Sequence, residues 1–264
     1  MKKEPLVSVI IPTYNSERTI EKCLKSIKNQ SYKNIELIVV DNNSTDKTKE
    51  IAKKYADKVY NKGPERSAQR NFGVSQSNGE YVLVHDSDIY FPKKCIEEAI
   101  SIFLEKDPDA LILPEKSIGE GYWAKVKSFE RSFYLGNDYI EAARFFKKDV
   151  FDKMGGYDEN LTGPEDWELT LRLRMNKYGI MRTKELLLHD EGKIDLFGSS
   201  KKKKYYAKDV FEKYAKMYPD HFKKQMSFWV RFPINKLLLN LIKHPILTFS
   251  MVLMKGLEYF NSVK

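Results

Sequence analysis

Tyr81-Val82-Leu83-Val84-His85-Asp86-Ser87-Asp88 runs an apolar strand pattern straight into two carboxylates separated by one serine. In an open α/β sheet, ligands bind beyond the carboxyl ends of the strands. Carboxylates at such an edge suit a hard divalent cation that keeps waters and takes phosphate oxygens as further ligands. The same spacing also serves solvated turns and helix caps, so the flanking chain has to decide between them.

Working outward, Val7 to Ile11 is a β-branched run of the kind buried on both faces, and Pro12-Thr13-Tyr14-Asn15 ends it. Ile20, Cys23, Leu24 and Ile27 then form one apolar helical face. Ile35 to Val40 reads as the next buried strand and closes on Asp41-Asn42-Asn43-Ser44-Thr45-Asp46, rich in helix-capping groups. A helix burying Ile51, Ala52 and Tyr55 follows, then a short strand over Lys58 to Asn61. Ser67 to Ser75 is a helix bearing Arg66 and Arg70, and Asn78-Gly79 turns the chain into the opening stretch. A helix from about Lys94 to Leu104 and a strand from Ala110 to Leu113 complete the first half. Strands alternating with helices at this pace give a mostly parallel, Rossmann-like sheet with right-handed crossovers and helices on both faces.

From Glu115 to Asn137 periodicity fades, which reads as loop around a pocket. Ala142 to Phe151 is a strand followed by a short helix, and Gly155-Gly156-Tyr157-Asp158 is a turn. Glu165-Asp166 opens a helix, where a carboxylate pair also suits the helix dipole. Leu186 to Leu188 is a strand ending at His189, a ligand candidate beside acids.

The 264 residues carry 46 Lys and Arg against 37 Asp and Glu, a net charge of +9 that favours anionic partners. Cys23 and Cys95 read as buried reduced thiols of a cytosolic protein. The apolar run after Met1-Lys2-Lys3-Glu4 is too short for a signal peptide, and no stretch approaches eighteen uninterrupted apolar residues. No G-x-G-x-x-G follows the first strand and no G-x-x-x-x-G-K-[ST] occurs, which argues against a dinucleotide oxidoreductase and a P-loop enzyme.

Several of these stretches occur together in the order of a known family. Val9-Ile10-Ile11-Pro12-Thr13-Tyr14-Asn15, Val39-Val40-Asp41-Asn42-Asn43-Ser44-Thr45-Asp46-Lys47-Thr48, Ala68-Gln69-Arg70-Asn71-Phe72-Gly73, the Asp-Ser-Asp, Phe151 to Asp158 and Glu165-Asp166 resemble the family 2 inverting glycosyltransferases of the GT-A fold. The resemblance spans roughly Val7 to Pro219. It implies that Pro12, Thr13, Tyr14, Asp41 and Asn43 line a nucleoside pocket, with Arg66 and Arg70 near the diphosphate. Asp86 would face ribose or metal, Asp88 would be the principal ligand of Mg²⁺ or Mn²⁺, and His189 would lie near the metal or diphosphate. Asp166 would be the catalytic base, with Glu165 second. His85 departs from the family, which more usually has a hydrophobic residue there. The implied donor is a UDP- or GDP-sugar, with residues 1–115 forming the donor half and 116–198 the acceptor half.

After Gly198 come Lys201 to Lys204, Tyr205 and Tyr206, then apolar clusters at Phe228, Trp229, Phe232, Leu237 to Leu239, Leu241, Ile242 and Ile246 to Met254, broken by Arg231, Lys236, Lys243 and Pro245. This helical tail, 199–264, reads as an interfacial segment, or as a hairpin packed on the catalytic domain or on a dimer partner. With the family resemblance it points to a lipid-linked glycan acceptor and a peripheral site on the cytoplasmic face of the membrane. A polyprenyl-phosphate sugar synthase is the alternative within the family, and a nucleotidyltransferase lies outside it. A nucleic-acid partner is not expected, because the basic residues concentrate in the tail and no recognition motif occurs.

Overall fold

A computed structural model of the chain describes residues 4–194 and 210–263. Lys201 to Lys204, Tyr205 and Tyr206 lie outside the described residues. The chain divides into two compact units, 1–114 with 142–188 and 115–141 with 189–264. These spatial units cross the linear boundaries read from the sequence.

The first unit is built on a seven-stranded sheet. Its strands are β1 (Val7–Thr13), β2 (Ile35–Asp41), β3 (Lys58–Asn61), β4 (Tyr81–Val84), β6 (Ala110–Ile112), β8 (Ala143–Lys147) and β9 (Ile180–Arg182), in the order β3-β2-β1-β4-β8-β6-β9. Strands β3, β2, β1 and β4 run parallel, as does the pair β6 and β9, while β8 runs antiparallel to both its neighbours. The mostly parallel sheet is therefore as the alternating pattern predicts, with one reversed strand. A further two-residue strand, β5 (Ile89–Tyr90), follows β4. Both β5 and β9 escape sequence reading because two or three residues carry no periodicity.

Helices cover both faces of the sheet. On one, α3 (Arg66–Ser75), α6 (Lys148–Lys153) and α7 (Glu165–Met175) contribute Val74, Val150, Phe151, Leu169 and Leu173 to a core with Ile10, Ile38, Val40, Val82, Val84 and Phe146. The other receives α4 (Cys95–Lys106), whose Phe103 meets Phe145 and Tyr81 edge-on or tilted. Successive residues of β8 thus serve opposite cores, as strand alternation requires. Helices α1 (Ile20–Lys28) and α2 (Thr48–Tyr55) pack together and complete the layers. At Gly73 α3 packs tightly on the sheet, since a Cβ there would fall 2.4 Å from Ile10 Cγ2. Cys23 and Cys95 are free and buried.

The second unit corrects the loop expected over 115–137. That stretch forms β7 (Glu115–Glu120) and α5 (Gly121–Ser132), and β7 lies beside the second unit's portion of β10 (Leu187–Lys193). Its apolar residues are spaced for packing against other helices rather than for one clean amphipathic stripe, which hides the helix from a periodicity search. From residue 210 onward the described residues form helices: α8 (210–217), α9 (Pro219–Met226), α10 (Phe228–Arg231), α11 (Ile234–Lys243) and α12 (Pro245–Val263). Val126 and Phe133 of the α5 segment enclose Phe232, Met251 and Met254. In this unit Glu130 is fully buried, bonded by Lys127 Nζ at 2.6 Å and also by Lys255 and the Tyr134 hydroxyl.

Burial alone would raise the Glu130 carboxyl, but Lys127 and Lys255 overcome it and hold the group at about 2. A depressed folded pKa contributes stability above the unfolded value, and that stability is lost as pH falls through the folded value. Acidification from pH 5 towards about 2 should therefore destabilise the wild type more steeply than Glu130→Gln, read as thermal midpoints across that pH range.

Candidate active site

Parallel pairing sets Thr13 opposite Asp41 and Ile10 opposite Val84, so the carboxyl ends of β1, β2 and β4 share one edge. There the Asp41 carboxylate is fixed from three sides. Thr13 Oγ1 donates to Oδ1 at 3.0 Å, Ser44 Oγ donates to the same oxygen at 2.5 Å, and Ser44 N–H donates to Oδ2 at 2.8 Å. Behind it, buried Gln69 of α3 donates through Nε2 to the carbonyls of Thr13 (2.9 Å) and Val40 (2.6 Å), tying the two strand ends together. Pro12 is buried within β1, whereas Tyr14 is 62% exposed at the rim. Asn43 holds a left-handed conformation, φ 53°, which lets the loop fold back on Asp41. Asn15, also left-handed, accepts from Thr45 N–H and donates its own N–H to Ser44 Oγ.

The second part of the site is a charge cluster around Arg70, whose side chain is fully buried. Its Nη2 lies 2.6 Å from Asp86 Oδ1, and its Nη1 lies 2.9 Å from Glu165 Oε1 and 3.1 Å from Asp166 Oδ1. Arg66 Nε adds a 2.6 Å contact to Glu165. Arg144 completes the set, with Nη2 at 2.6 Å from Asp166 Oδ2 and Nη1 at 3.6 Å from Asp86 Oδ2. Strand β8 delivers Arg144 because it runs antiparallel to β4, which brings its starting end to the edge where β4 finishes. The Thr170 hydroxyl accepts from Ala143 N–H and donates to the Asp166 carbonyl, so α7 and β8 hold the Asp166–Arg144 pair in register.

These neighbours separate the three carboxylates. Burial pushes Asp86 up, but Arg70, Arg144 and Arg66 outweigh it and hold the group well below the usual range. Glu165 is also lowered: burial is opposed by Arg70 and Arg66 and by backbone donors including Gly163 N–H. Asp166 goes the other way. Its burial outweighs Arg144 and Arg70, and the adjacent Glu165 and Asp86 charges raise it further. Two carboxylates side by side on one helix turn thus take opposite shifts, the pattern that separates a structural anion from a proton acceptor.

Tyr157, 2% exposed, lies with its ring 5.3 Å from the Arg70 guanidinium carbon, and its hydroxyl has no hydrogen-bond partner among the described residues. Asn71 grips the Tyr157 backbone at both N–H and C=O, each at 2.9 Å. Gly156, at φ 69°, is required here because a Cβ would fall 2.5 Å from Asn71 Oδ1. Buried His85, just past the end of β4, accepts the Asp86 N–H at Nδ1 and stands edge-on to Phe91.

The first unit thus brings together Thr13, Asp41, Asn43, Arg66, Arg70, Asp86, Glu165 and Asp166, all named from the sequence. Asp88 is half-buried just beyond β4. His189 belongs to the second unit, where its Nδ1 lies 3.0 Å from Glu115 Oε2. Among the described residues no three His, Cys, Asp or Glu side chains form a metal cage. The chemistry of the strand end still fits a hard divalent ion, since one or two carboxylates with substrate phosphates are a usual ligand set for Mg²⁺. Asp86 is already balanced by arginines, so Asp88 would be the residue left to hold such an ion. Sequence reading missed Arg144, Gln69 and Ser44 as site residues, and gave Tyr157 no role of its own. Arg144 sits in no motif, and only the reversal of β8 could have signalled it.

The family model of glycosyl transferase family 2 matches residues 8–157, which contain the Asp41 network, Arg70, Asp86 and Tyr157. The chain belongs to glycosyltransferase family 2. Among family 2 relatives, an uncharacterized glycosyltransferase of Rickettsia typhi is 34% identical over 184 residues, 62% of this chain and 57% of that protein. The GalNAc(5)-diNAcBac-PP-undecaprenol beta-1,3-glucosyltransferase of Campylobacter jejuni is 35% identical over 112 residues, 39% of this chain and 34% of its own length. The chain therefore spans about half or less of these relatives. Two solved structures share the GT-A fold. Staphylococcus aureus TarS 1–349 with UDP-GlcNAc has a TM-score of 0.62 at 22% identity, covering 90% of this chain and 76% of that one. The mannosyltransferase PcManGT of Pyrobaculum calidifontis, with GDP-Man and Mn²⁺, scores 0.66 at 17% identity, covering 97% and 80%.

Removing one partner of a buried charge set leaves the others uncompensated, at about 3–5 kcal/mol. Arg70→Met should therefore lower the thermal midpoint more than Arg144→Met, because Arg70 serves three carboxylates and Arg144 two. Equal losses in a melting comparison would count against Arg70 as the centre of the cluster.

Proposed function

We propose that this chain transfers a sugar, with inversion, from a nucleoside diphosphate sugar, UDP-sugar favoured, to a lipid-linked glycan acceptor at the cytoplasmic face of a membrane. The observation that carries this reading is Asp166, gripped by Arg70 and Arg144 close to Asp86, in a chain of family 2. The donor class is supported by the UDP-GlcNAc and GDP-Man complexes of two proteins of like fold, and the acceptor class by the Campylobacter relative's undecaprenol-linked substrate.

Asp41, Thr13 and the 42–44 loop would bind the nucleoside, within a donor half spanning 1–115. Asp166, from the 116–198 acceptor half, would take the proton of the attacking hydroxyl. That oxygen bonds to the anomeric carbon as the bond from this carbon to the diphosphate oxygen breaks on the opposite face. The electron pair leaves with the nucleoside diphosphate, and no covalent sugar–enzyme intermediate forms. A raised pKa makes Asp166 the stronger base of its pair, and Glu165 remains a buried counter-ion to Arg66 and Arg70. Arg70 orients Asp166 and lies against Asp86, where charge develops on the leaving group. A bound Mg²⁺ or Mn²⁺, held through Asp88, would supply further positive charge to the leaving diphosphate.

Asp166→Asn should retain nucleotide-sugar binding in a thermal-shift titration yet lose about 10²- to 10⁴-fold in nucleoside diphosphate release. Retained turnover would move the base elsewhere. The base acts when deprotonated, and Arg144 lowers its pKa. Arg144→Gln should therefore shift the acidic limb of the pH–rate profile to higher pH, and an unmoved limb would separate that limb from Asp166.

A further inference from the structure

Helix α12 is apolar on two sides. One side, with Leu247, Met251 and Met254, packs into the core of the second unit. The other presents Ile246, Phe249, Val252 and Leu253 to solvent, with Ile246 and Phe249 73% and 70% exposed. Across the Pro245 corner, α11 continues this surface through Leu238, Leu241 and Ile242, the last 80% exposed. A helix that is apolar all round belongs in a core or a bilayer. Contiguous patches of this kind on soluble proteins mark interaction sites.

Charge identifies the partner. Between Asp220 and Glu258 the chain carries no carboxylate side chain, while Lys223, Lys224, Arg231, Lys236 and Lys243 lie along it. Trp229, 61% exposed on α10, adds a residue favoured at the headgroup level. A second copy of this chain docking by two-fold symmetry would set this cationic surface against its own image. No helix among the described residues is long and apolar enough to cross a membrane. The combination fits helices lying in the headgroup region of an anionic leaflet.

We infer that the outer face of α10 to α12, centred on Ile242, Ile246 and Phe249, is a docking surface for anionic phospholipid. The inference deepens the membrane location proposed above and rests on it. It gives that location a surface and a lipid preference.

The test uses the full chain and vesicles of phosphatidylcholine, alone or with phosphatidylglycerol added, in a sedimentation assay. The wild type should sediment with the phosphatidylglycerol vesicles far more than with phosphatidylcholine alone, and added salt should weaken the binding. The Ile242→Asp/Phe249→Asp variant should bind these vesicles more than about tenfold more weakly, since two inserted apolar groups become charges. Both proteins should melt alike and bind nucleotide sugar alike without vesicles. Equal sedimentation of variant and wild type, no binding by the wild type, or a wild-type dimer that the variant converts to monomer would each overturn the inference. Sugar transfer without vesicle binding would leave the chemistry standing and remove the docking surface, whereas vesicle binding without nucleotide-sugar binding would do the reverse.

Discussion

The buried guanidinium of Arg70 is the constraint on which the candidate site depends. A charge with no solvent contact is tolerated when it is paired, and here Nη1 and Nη2 meet Asp86 just past the end of β4 and Glu165 and Asp166 from the start of α7. One side chain thereby joins a helix, a strand end and a second helix more than ninety residues further along the chain. Those elements hold their spacing because separating any of them would strand a buried ion.

That constraint also shifts two adjacent acids in opposite directions. Glu165 faces Arg66, Arg70 and a backbone amide, and it stays ionised. Asp166 is raised instead, because its burial outweighs Arg144 and Arg70 and the neighbouring charges of Glu165 and Asp86 add to the rise. Neither shift follows from the dipeptide itself. They arise from a one-residue difference in direction at a helix start, amplified by burial.

Much of this was legible in the sequence where local pattern and chemistry coincide. The β-branched runs before Pro12 and Asp41 gave the parallel strands, and polar residues at their ends marked the binding edge. What escaped depends on long-range geometry. Arg144 becomes a site residue only because β8 runs backwards between β4 and β6, and strand direction leaves no trace in composition. Gln69 lies inside a family motif, but its amide spans two strand-end carbonyls only once β1 and β2 are paired. Residues 121–132 looked structureless because their apolar positions are distributed among several neighbours. The C-terminal clusters were readable as apolar and basic, but their division into covered and uncovered faces needed three dimensions.

The arithmetic of the cluster carries a further consequence. Arg66, Arg70 and Arg144 stand against Asp86, Glu165 and Asp166, three charges of each sign, so the set is neutral before anything enters. An incoming polyanion therefore gains no net attraction from these arginines unless it competes with a carboxylate already bonded to one of them. Recognition at such a place is an exchange of ion partners. Its selectivity would come from the geometry of the replacement and from the fate of the displaced carboxylate, more than from the overall positive charge of the chain.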